Sequence, residues 1–393
     1  MKEKQTDVLV VGSGLVGLVA AHCMSSLNYN VIIVDKKIFN KPKKTPMDIR
    51  TVAVSEGSKQ FLDSLFLWDG IKSFVEPIKK IKVYDRSPSN KILFENFEVK
   101  KQLGYVVENN KLRTFLISKL KDKKNVKIFF ETGVKKIKIE ESFVKSYCEK
   151  LSIKSKLIIA ADGKNSYLRK IMGNKIFKKI YSENALVLNF FHEKNLNNTA
   201  YEIFYKTGPL AILPMNSKSK FFQSSIIWSN NKLLTQKLLS CSNEFIANIL
   251  DEKIGDIIGQ IMKINSKQTF PLSAHINQTF VNKRIIYVGD SAHSIHPIAG
   301  QGWNLGIKDI KNLEFIFKNL SFNKEEIGNE VFCKKYNSMS YKNAFQLYQI
   351  TDKLNSHFKI NDKIYRLLSN AGFGFIENNQ QIKNKITKYA MGL

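Results

Sequence analysis

The chain opens with a hydrophobic pattern that is typical of a strand, a helix and a second strand. β-forming residues run from Asp7 to Val11, a segment suited to a helix runs from Leu18 to Leu27, and a second β-forming run extends from Tyr29 to Val34. Strands that are joined through a helix lie parallel in one sheet. The pattern therefore predicts a βαβ unit at the start of the chain.

A glycine-rich turn joins the first predicted strand to the helix. It carries Gly12, Gly14 and Gly17 in the GxGxxG spacing, and Asp35 ends the second strand. The first glycine permits a tight turn, the second lets the backbone approach a pyrophosphate, the third lets helix and strand pack closely, and the acid can bind ribose hydroxyls. We assign these residues and Leu15 to a dinucleotide site. The motif alone does not separate FAD from NAD.

Two later regions alternate apolar and polar residues, as strands of half-buried sheets do. Residues Ile78 to Tyr105 are predicted as strands of a separate sheet, and Asn184 to Trp228 as an antiparallel sheet that forms the substrate domain. Helical spacing is found from Glu108 to Leu120 and from Leu233 to Ile264. The length of 393 residues also favours two domains over a single core.

A second glycine-rich stretch runs from Gly289 to Gly306. It follows the apolar run Arg284 to Val288 and precedes apolar residues at helical spacing from Ile307 to Ile310, with Asp290 close to the end of the strand. Backbone N–H groups at a helix start are free to bind anionic oxygen. The stretch is therefore predicted to be a strand-to-helix loop that wraps a cofactor.

Three further polar positions allow a functional and a structural interpretation. Arg50 can hold a phosphate or carboxylate with two parallel hydrogen bonds, or it is a surface arginine. Arg113 lies off the apolar face of its predicted helix, so it points either at a cofactor or into solvent. Asp162 and Gly163 end an apolar strand, where they either meet a ligand or form a turn.

The C-terminal part of the chain, from Asn312 onward, has a helical pattern. Leu347, Ile350, Leu354 and Phe358 recur at helical spacing. Two interpretations stay open, a helical cap on the core and a tail that faces a membrane or a partner. The second is suggested by the basic residues that accompany the apolar ones, Lys359, Lys363, Arg366, Lys383, Lys385 and Lys388.

Charge and cysteine content narrow the function classes. The formal net charge is +28, and only six of the 62 basic residues are Arg. This charge is explained either by a solvated lysine-rich surface or by attraction to anionic lipid; we expect no nucleic-acid binding, since no recognition motif is present. The four cysteines lie far apart, which argues against a zinc site or a disulfide framework. We expect no signal peptide and no membrane span, and therefore a cytoplasmic protein.

The order of these motifs resembles that of the class A FAD-dependent aromatic monooxygenases, the p-hydroxybenzoate hydroxylase superfamily. Within it the chain is most similar to the ubiquinone-biosynthesis hydroxylases, and the resemblance covers nearly the whole chain. Trp303 departs from the family, where a smaller apolar residue is common. The segments that carry the resemblance are Asp48 to Ala53, Leu67 to Asp69, Gly208 to Pro214, Phe270 to Leu272, Gly289 to Asp309 and Thr351 to Phe358.

The resemblance implies a role for each candidate residue. Asp290 would hold the ribityl chain of FAD, Arg50 would reach the flavin side, and Asp162 with Gly163 would serve both FAD and NAD(P)H. Arg113 and Gly289 would also belong to the cofactor site. A helix N-terminus would stabilise the anionic edge of reduced flavin, since it carries a partial positive charge; the residues that form it would be Gly300, Gln301, Gly302 and Asn304.

His293, His296 and Pro297, together with Asn304, are the implied catalytic positions beside the flavin ring. The two histidines are three residues apart, but no set of carboxylates accompanies them, so we predict flavin-pocket residues and no metal. Whether they transfer protons directly stays open.

The resemblance also implies the reaction. NAD(P)H would reduce FAD, and reduced flavin with O₂ would give a C4a-hydroperoxide that hydroxylates the ring of a polyprenylated phenol in ubiquinone biosynthesis. The expected partners are this hydrophobic prenylphenol, O₂, the inner face of a membrane as a peripheral contact, and other ubiquinone-biosynthesis proteins in a complex. The alternatives are a prenyl reductase or epoxidase of the same fold, and a non-catalytic flavin- or lipid-binding subunit.

The implied fold class is α/β, with a Rossmann-like FAD-binding domain, an inserted antiparallel β substrate domain and a helical C-terminus. The chain is expected to leave the FAD-binding domain and return to it. The predicted boundaries are 1–75, 106–180 and 276–330 for the FAD-binding domain, 76–105 and 181–275 for the substrate domain, and 331–393 for the C-terminal helical region.

Overall fold

A computed structural model describes residues 2–38, 48–85, 91–95, 102–319, 326–358, 360 and 363–393. The sequence also predicts a turn from Asp85 to Ser89 and a basic loop from Lys36 to Pro46, and most of each lies outside these residues. The described strands, in chain order, are β1 Lys2–Val11, β2 Val31–Val34, β3 Thr51–Ser55, β4 Glu76–Ile78, β5 Lys80–Asp85, β6 Lys91–Glu95, β7 Gly104–Glu108, β8 Val126–Phe129, β9 Val134–Ile139, β10 Val144–Cys148, β11 Leu151–Ala160, β12 Ile176–His192, β13 Thr199–Tyr205, β14 Gly208–Met215, β15 Phe222–Asn231, β16 Ile261–Asn277, β17 Val281–Asn282, β18 Ile285–Tyr287 and β19 His293–Ser294.

Helices connect these strands and form most of the C-terminal region. They are α1 Leu15–Ser26, α2 Glu56–Ser64, α3 Trp68–Ile71, α4 Asn109–Lys121, α5 Tyr167–Ile171, α6 Lys232–Ser240, α7 Asn243–Ile258, α8 Gly302–Asn319, α9 Glu330–His357, α10 Lys363–Asn378 and α11 Gln380–Met391. None of the described helices is long and apolar enough to cross a membrane.

The first sheet contains the predicted βαβ unit. Its parallel strands lie in the order β18, β11, β1, β2, β8, and β17, β10 and β9 extend it with antiparallel pairs. Val8 to Val11, Val31 to Val34 and Leu157 to Ala160 are buried, as expected for parallel strands that are covered on both faces. Since parallel strands end at the same edge, the turns after β1, β11 and β18 come together there.

The second sheet is largely antiparallel, in the order β19, β16, β12, β15, β14, β13, β5, β6. One face packs against α7 through residues such as Leu186, Leu188, Ile246 and Leu250. The alternate residues, Ala185 and Val187 among them, line a cavity. This alternation is the period-two pattern that predicted the substrate sheet.

A small third sheet, in the order β3, β7, β4, contacts β14 of the second sheet through β4 and β7. The region predicted as one group of strands from Ile78 to Tyr105 is therefore divided, because β5 and β6 join the second sheet while β7 joins the third. The α/β fold with an inserted antiparallel sheet and a helical C-terminus is confirmed, whereas the exact domain boundaries stay a prediction.

The C-terminal helices contact the second sheet. Leu347 and Phe358 are buried, and the Phe358 ring stacks on Phe204 with ring centroids 3.7 Å apart, whereas Ile350 and Leu354 are exposed. The predicted apolar stripe of α9 is thus only partly used for packing. Lys359 and the side chains of Lys363 and Arg366 lie outside the described part of the chain.

Candidate active site

A cavity of about 820 Å³ lies between the first and second sheets. At one end it is lined by the turn from Ser13 to Gly17 and by Asp290, and at the other by the inner face of the second sheet. Polar loops and an apolar sheet face therefore share one continuous space.

The turn after β1 is held in place by backbone contacts that only glycine allows. Gly12 has a φ of +109°, and a Cβ there would lie 2.3 Å from the carbonyl oxygen of Ala161; a Cβ on Gly17 would lie 2.2 Å from the carbonyl oxygen of Gly12. A Cβ on Gly14, by contrast, would meet nothing within 4 Å. Gly14 is also the N-cap of α1, and no side chain caps this helix. The free N–H groups of the first turn thus offer an anion site beside the cavity.

Asp35, Ser13 and Arg113 form one hydrogen-bonded network at this end of the cavity. Asp35 Oδ2 accepts hydrogen bonds from the Ser13 backbone N–H at 2.7 Å and from Ser13 Oγ at 2.6 Å. Arg113 Nε donates to the Ser13 carbonyl at 3.0 Å, and its Nη2 contacts Ser13 Oγ at 2.8 Å. Of the two interpretations left open for Arg113, the structure shows the side chain lining the cavity and fixing the turn.

Arg50 also lines the cavity, but its guanidinium group is hydrogen-bonded to a neighbouring carboxylate. Nε and Nη2 donate to the two carboxylate oxygens of Asp48, each at 2.8 Å, and the guanidinium carbon lies 5.1 Å from the centre of the Phe270 ring. The hydrogen bond from Arg50 to Asp48 raises the pKa of the guanidinium. Arg50 is therefore an exposed charge that Asp48 holds at the cavity wall, and its role toward a cofactor stays a prediction.

Asp290 faces the cavity from the 3₁₀ turn Gly289–Ser291 that follows β18. Its carboxylate accepts no hydrogen bond from any residue that the structure describes. The surrounding protein desolvates this group and raises its pKa, while His293, Lys164 and Arg50 act in the opposite direction. Because Asp290 is exposed to the cavity, its carboxylate oxygens are open to hydrogen-bond donors of a ligand.

His293 lies behind the cavity wall. It is buried, and its Nε2–H donates to Asp309 Oδ2 at 2.7 Å, an oxygen that also accepts the Gly289 backbone N–H at 2.9 Å. Gly289 has a φ of +55° and lies against Val16 of α1. This arrangement ties α8 to the turn that carries Asp290, so it sets the position of that carboxylate.

His296 and Pro297 occupy the next part of the loop. His296 is buried, and its ring meets the Tyr181 ring edge-on at 4.9 Å. Tyr181 donates to Asp352 at 2.9 Å, and burial followed by this hydrogen bond raises the tyrosine pKa. Pro297 and not His296 lines the cavity. The structure thus separates the implied catalytic residues, with the proline at the cavity and both histidines packed behind it.

The start of α8 is clamped to β3 by Asn304. Its Oδ1 accepts the Ser55 backbone N–H at 2.9 Å and Ser58 Oγ at 2.8 Å, while its Nδ2 donates to the carbonyls of Ala53 at 2.8 Å and Gly300 at 3.3 Å. Asn304 therefore positions the helix N-terminus, although its own side chain is turned toward the protein.

The residues around Asn304 shape the cavity wall. Gly300 has a φ of +60°, and Gly300, Gly302 and Trp303 line the cavity. Gln301 Nε2 donates to the Ala390 carbonyl at 3.2 Å, which joins the loop to α11. The bulky Trp303 narrows the space beside the helix start.

Asp162 and Gly163 follow β11 and differ in what they contact. Asp162 Oδ2 accepts the backbone N–H groups of Tyr167 at 2.7 Å and Leu168 at 3.1 Å, so it caps the short helix α5. Gly163 has a φ of +82° and lines the cavity. The structure thus shows a helix-capping aspartate and a cavity-lining glycine.

Three residues of the site were missed by sequence reasoning. Ser13 and Asp309 are partners of predicted residues, and no local signal links Asp309 to a histidine sixteen positions earlier. Glu202 lies on the sheet face of the cavity. The sequence did carry a signal for Glu202, because it is an acidic residue on a strand face that it shares with the apolar residues Ala200 and Phe204.

The residues at the polar end fit an FAD. The uncapped start of α1 and the open space at Gly14 suit a pyrophosphate, and the unpartnered carboxylate of Asp290 suits a polyol. Asp35 retains acceptor capacity for ribose, because a carboxylate has about four lone-pair sites. No cluster of three or more metal-binding side chains occurs within the described residues.

The sequence model of the protein family described as "FAD binding domain" matches residues 5–321. Similar curated proteins include a ubiquinone hydroxylase of Rhodospirillum rubrum, which is 27% identical over 99% of this chain and 90% of the relative. A ubiquinone biosynthesis monooxygenase of Dictyostelium discoideum is 25% identical over 100% and 92%. The 3-demethoxyubiquinol 3-hydroxylase of Escherichia coli is 24% identical over the full length of both chains.

Solved structures share the fold. The crystal structure of p-nitrophenol 4-monooxygenase from Pseudomonas putida superposes with a TM-score of 0.79, at 18% identity, over 100% of this chain and 99% of that one. A probable FAD-dependent monooxygenase from Pseudomonas aeruginosa gives a TM-score of 0.76 at 16% identity, over 95% of this chain and 100% of that one. At these identities the likeness concerns the fold alone.

Proposed function

The chain belongs to the FAD-binding domain family, and on that premise we propose that it is an FAD-dependent monooxygenase that hydroxylates the aromatic ring of a polyprenylated phenol in ubiquinone biosynthesis. The observation that carries the proposal is the cavity, which joins a dinucleotide site to the apolar face of a sheet. Relatives that match over nearly their full length are named as ubiquinone hydroxylases and monooxygenases.

Bound FAD would take electrons from NAD(P)H and activate O₂. The balanced reaction consumes the phenol, O₂, NAD(P)H and one proton, and it yields the hydroxylated ring, NAD(P)⁺ and water. The start of α1 would hold the pyrophosphate, Asp35 the adenosine ribose and Asp290 the ribityl chain. The α8 N-terminus, which Asn304 clamps, would stabilise the negative charge of the reduced flavin.

The sheet end of the cavity suits an aromatic ring with an apolar tail. Val187, Ala211, Leu213 and Ile227 project from neighbouring strands into this space. Such a wall excludes water and holds the ring in one orientation. The same wall offers few polar groups, so it favours a prenylated phenol over a small charged benzoate.

A peripheral membrane contact is part of the proposal, because a long prenyl tail resides in the bilayer. Helix α11 presents Ile386 and Tyr389 to solvent, with exposed Lys385 and Lys388 beside them. Exposed apolar and basic residues together favour an anionic lipid surface. Flotation with anionic vesicles should exceed flotation with zwitterionic ones, and the K385E/K388E variant should lose the difference. Equal flotation with both kinds of vesicle would argue against this membrane contact. The expected complex with other ubiquinone-biosynthesis proteins stays a prediction.

The function is tested by the quinone intermediates of a strain that lacks the gene. We expect a prenylated precursor that lacks one ring oxygen, and we expect wild-type protein but not the Asp290→Ala variant to restore the product. A fully oxygenated quinone with an altered tail would instead indicate a prenyl reductase or an epoxidase. Normal quinone content would contradict any role in the pathway.

A further inference from the structure

Glu202 is an acidic side chain in the apolar wall of the cavity. It lies in β13, where Val83 of β5 and Ala211 of β14 are its direct neighbours across the strands. The same row continues through Ile227 and Val187, both of which line the cavity. A carboxyl group is therefore set into a face that otherwise suits an aromatic ring.

The carboxyl group of Glu202 makes no hydrogen bond and no ion pair with any residue that the structure describes. It is half-buried and faces the cavity. An ionised carboxylate in such a wall is costly without a partner. The geometry thus leaves its oxygens to a ligand that carries a hydroxyl group.

Glu202 also lies near the loop that bears the implied catalytic residues. Ile298, which follows Pro297, shares an apolar cluster with Ile92 and Phe204. Phe204 is two residues from Glu202 on the same strand face. A ring that lies between this loop and the sheet would therefore meet Glu202 from the sheet side.

The electrostatic environment matches a proton acceptor. Burial raises the pKa of Glu202 to about 8, and no charged neighbour contributes to this shift. Asp85 lies farther along the same sheet face, while Arg50, Lys164 and Asp290 line the cofactor end. A base is most effective when its pKa lies near the working pH, since it then accepts a proton readily and is still partly ionised.

We propose that Glu202 is the catalytic base that accepts the proton of the substrate's phenolic hydroxyl. The O–H bond breaks, the proton passes to the carboxylate, and the electron pair stays on the phenolate oxygen. This increases the electron density at the ring carbon that receives oxygen. The assignment rests on the proposed function, because it requires a phenol in the cavity.

The test compares wild type, Glu202→Gln and Glu202→Asp with a geranylated phenol as the probe. Wild-type kcat/KM should rise with pH and level off above about pH 8. Glu202→Gln should lower kcat by roughly 10²- to 10⁴-fold, the usual contribution of general acid–base catalysis, with KM little changed and no such pH dependence. Glu202→Asp should restore part of the rate. Glu193→Gln, an exposed carboxylate next to the same sheet, should match wild type.

A second readout follows ionisation directly. The infrared carboxyl band of Glu202 in the complex with the probe should disappear as the pH rises through about 8 in wild type, and Glu202→Gln should lack this change. This readout tests the assignment even if a variant is unstable, because the titration of the wild-type complex alone must show a group whose pKa is near 8. If wild type hydroxylates the probe and Glu202→Gln does so at the same rate and with the same pH profile, the assignment is wrong. If wild type forms no hydroxylated product, the proposed function itself fails.

Discussion

Replacing Asn304 with alanine should destabilise the protein and weaken FAD binding together. The change removes the acceptor of the Ser55 N–H and the donor to the Ala53 carbonyl, both in β3. Both hydrogen bonds are partly buried, so each backbone group that loses its partner costs about 1–2 kcal/mol and the free energy of unfolding should fall by roughly 2–4 kcal/mol. FAD affinity should fall by about tenfold or more, since each 1.4 kcal/mol of lost positioning corresponds to a factor of ten.

Two variants separate the loss of the Asn304 hydrogen bonds to β3 from other effects of substitution. Asn304→Asp keeps the acceptor oxygen but places a carboxylate oxygen against the Ala53 and Gly300 carbonyls, so it should also lower stability. Asn319→Ala lies at the exposed end of α8, where the side chain donates to the Phe315 carbonyl of its own helix. It should change stability by less than about 0.5 kcal/mol.

The assays are denaturant unfolding of the apoprotein and titration of FAD by fluorescence quenching. Unfolding of the apoprotein measures what the Asn304 hydrogen bonds contribute to stability, because no cofactor contributes to this measurement. A loss of kcat with unchanged stability and unchanged FAD affinity would refute the reasoning, since it would mean that Asn304 acts on the reacting atoms and not on the helix.

Two further predictions follow from the site, and a third concerns His275, a buried residue of β16. Asp290→Ala should purify without flavin, because the cavity-facing carboxylate is its proposed ribityl ligand, and full flavin content would contradict this. Gly17→Ala should lower the melting temperature of the apoprotein through its clash with the Gly12 carbonyl, whereas Gly14→Ala should leave apoprotein stability unchanged and weaken FAD binding. Burial, then the charge of Arg169, lowers the pKa of His275 to about 3 from 6.5. Below about pH 6.5 the unfolded chain therefore takes up a proton on His275 that the folded state excludes. As the pH falls from 6.5 toward 3, the free energy of unfolding of wild type should decrease relative to that of His275→Gln by about 1.4 kcal/mol per pH unit. Parallel pH profiles of the two proteins would contradict this.

The parts of the site that were predictable depend on local patterns. Gly12, Gly14 and Gly17 could be placed because strand, turn and helix are contiguous, and the cavity faces of β12 to β15 follow from period two. The parallel pairing of β5 with β13 joins residues more than a hundred positions apart, so no local pattern announces it.

The parts that were not predictable depend on tertiary partners. His293 lies in the predicted cofactor loop, yet its Nε2–H donates a hydrogen bond to Asp309. Asp162 ends a strand as a ligand-binding aspartate would, yet one of its oxygens caps α5. A side chain's residue type and position in a motif therefore indicate where it lies, but its hydrogen-bond partner decides whether it touches a ligand.

Incorporation of labelled oxygen tests the central claim most directly. The purified protein with FAD, NAD(P)H and ¹⁸O₂ should convert a prenylated phenol into a product that carries one labelled ring oxygen, and the label should be absent when NAD(P)H is omitted. A product without label, or consumption of NAD(P)H without any hydroxylated ring, would contradict the assignment as a monooxygenase.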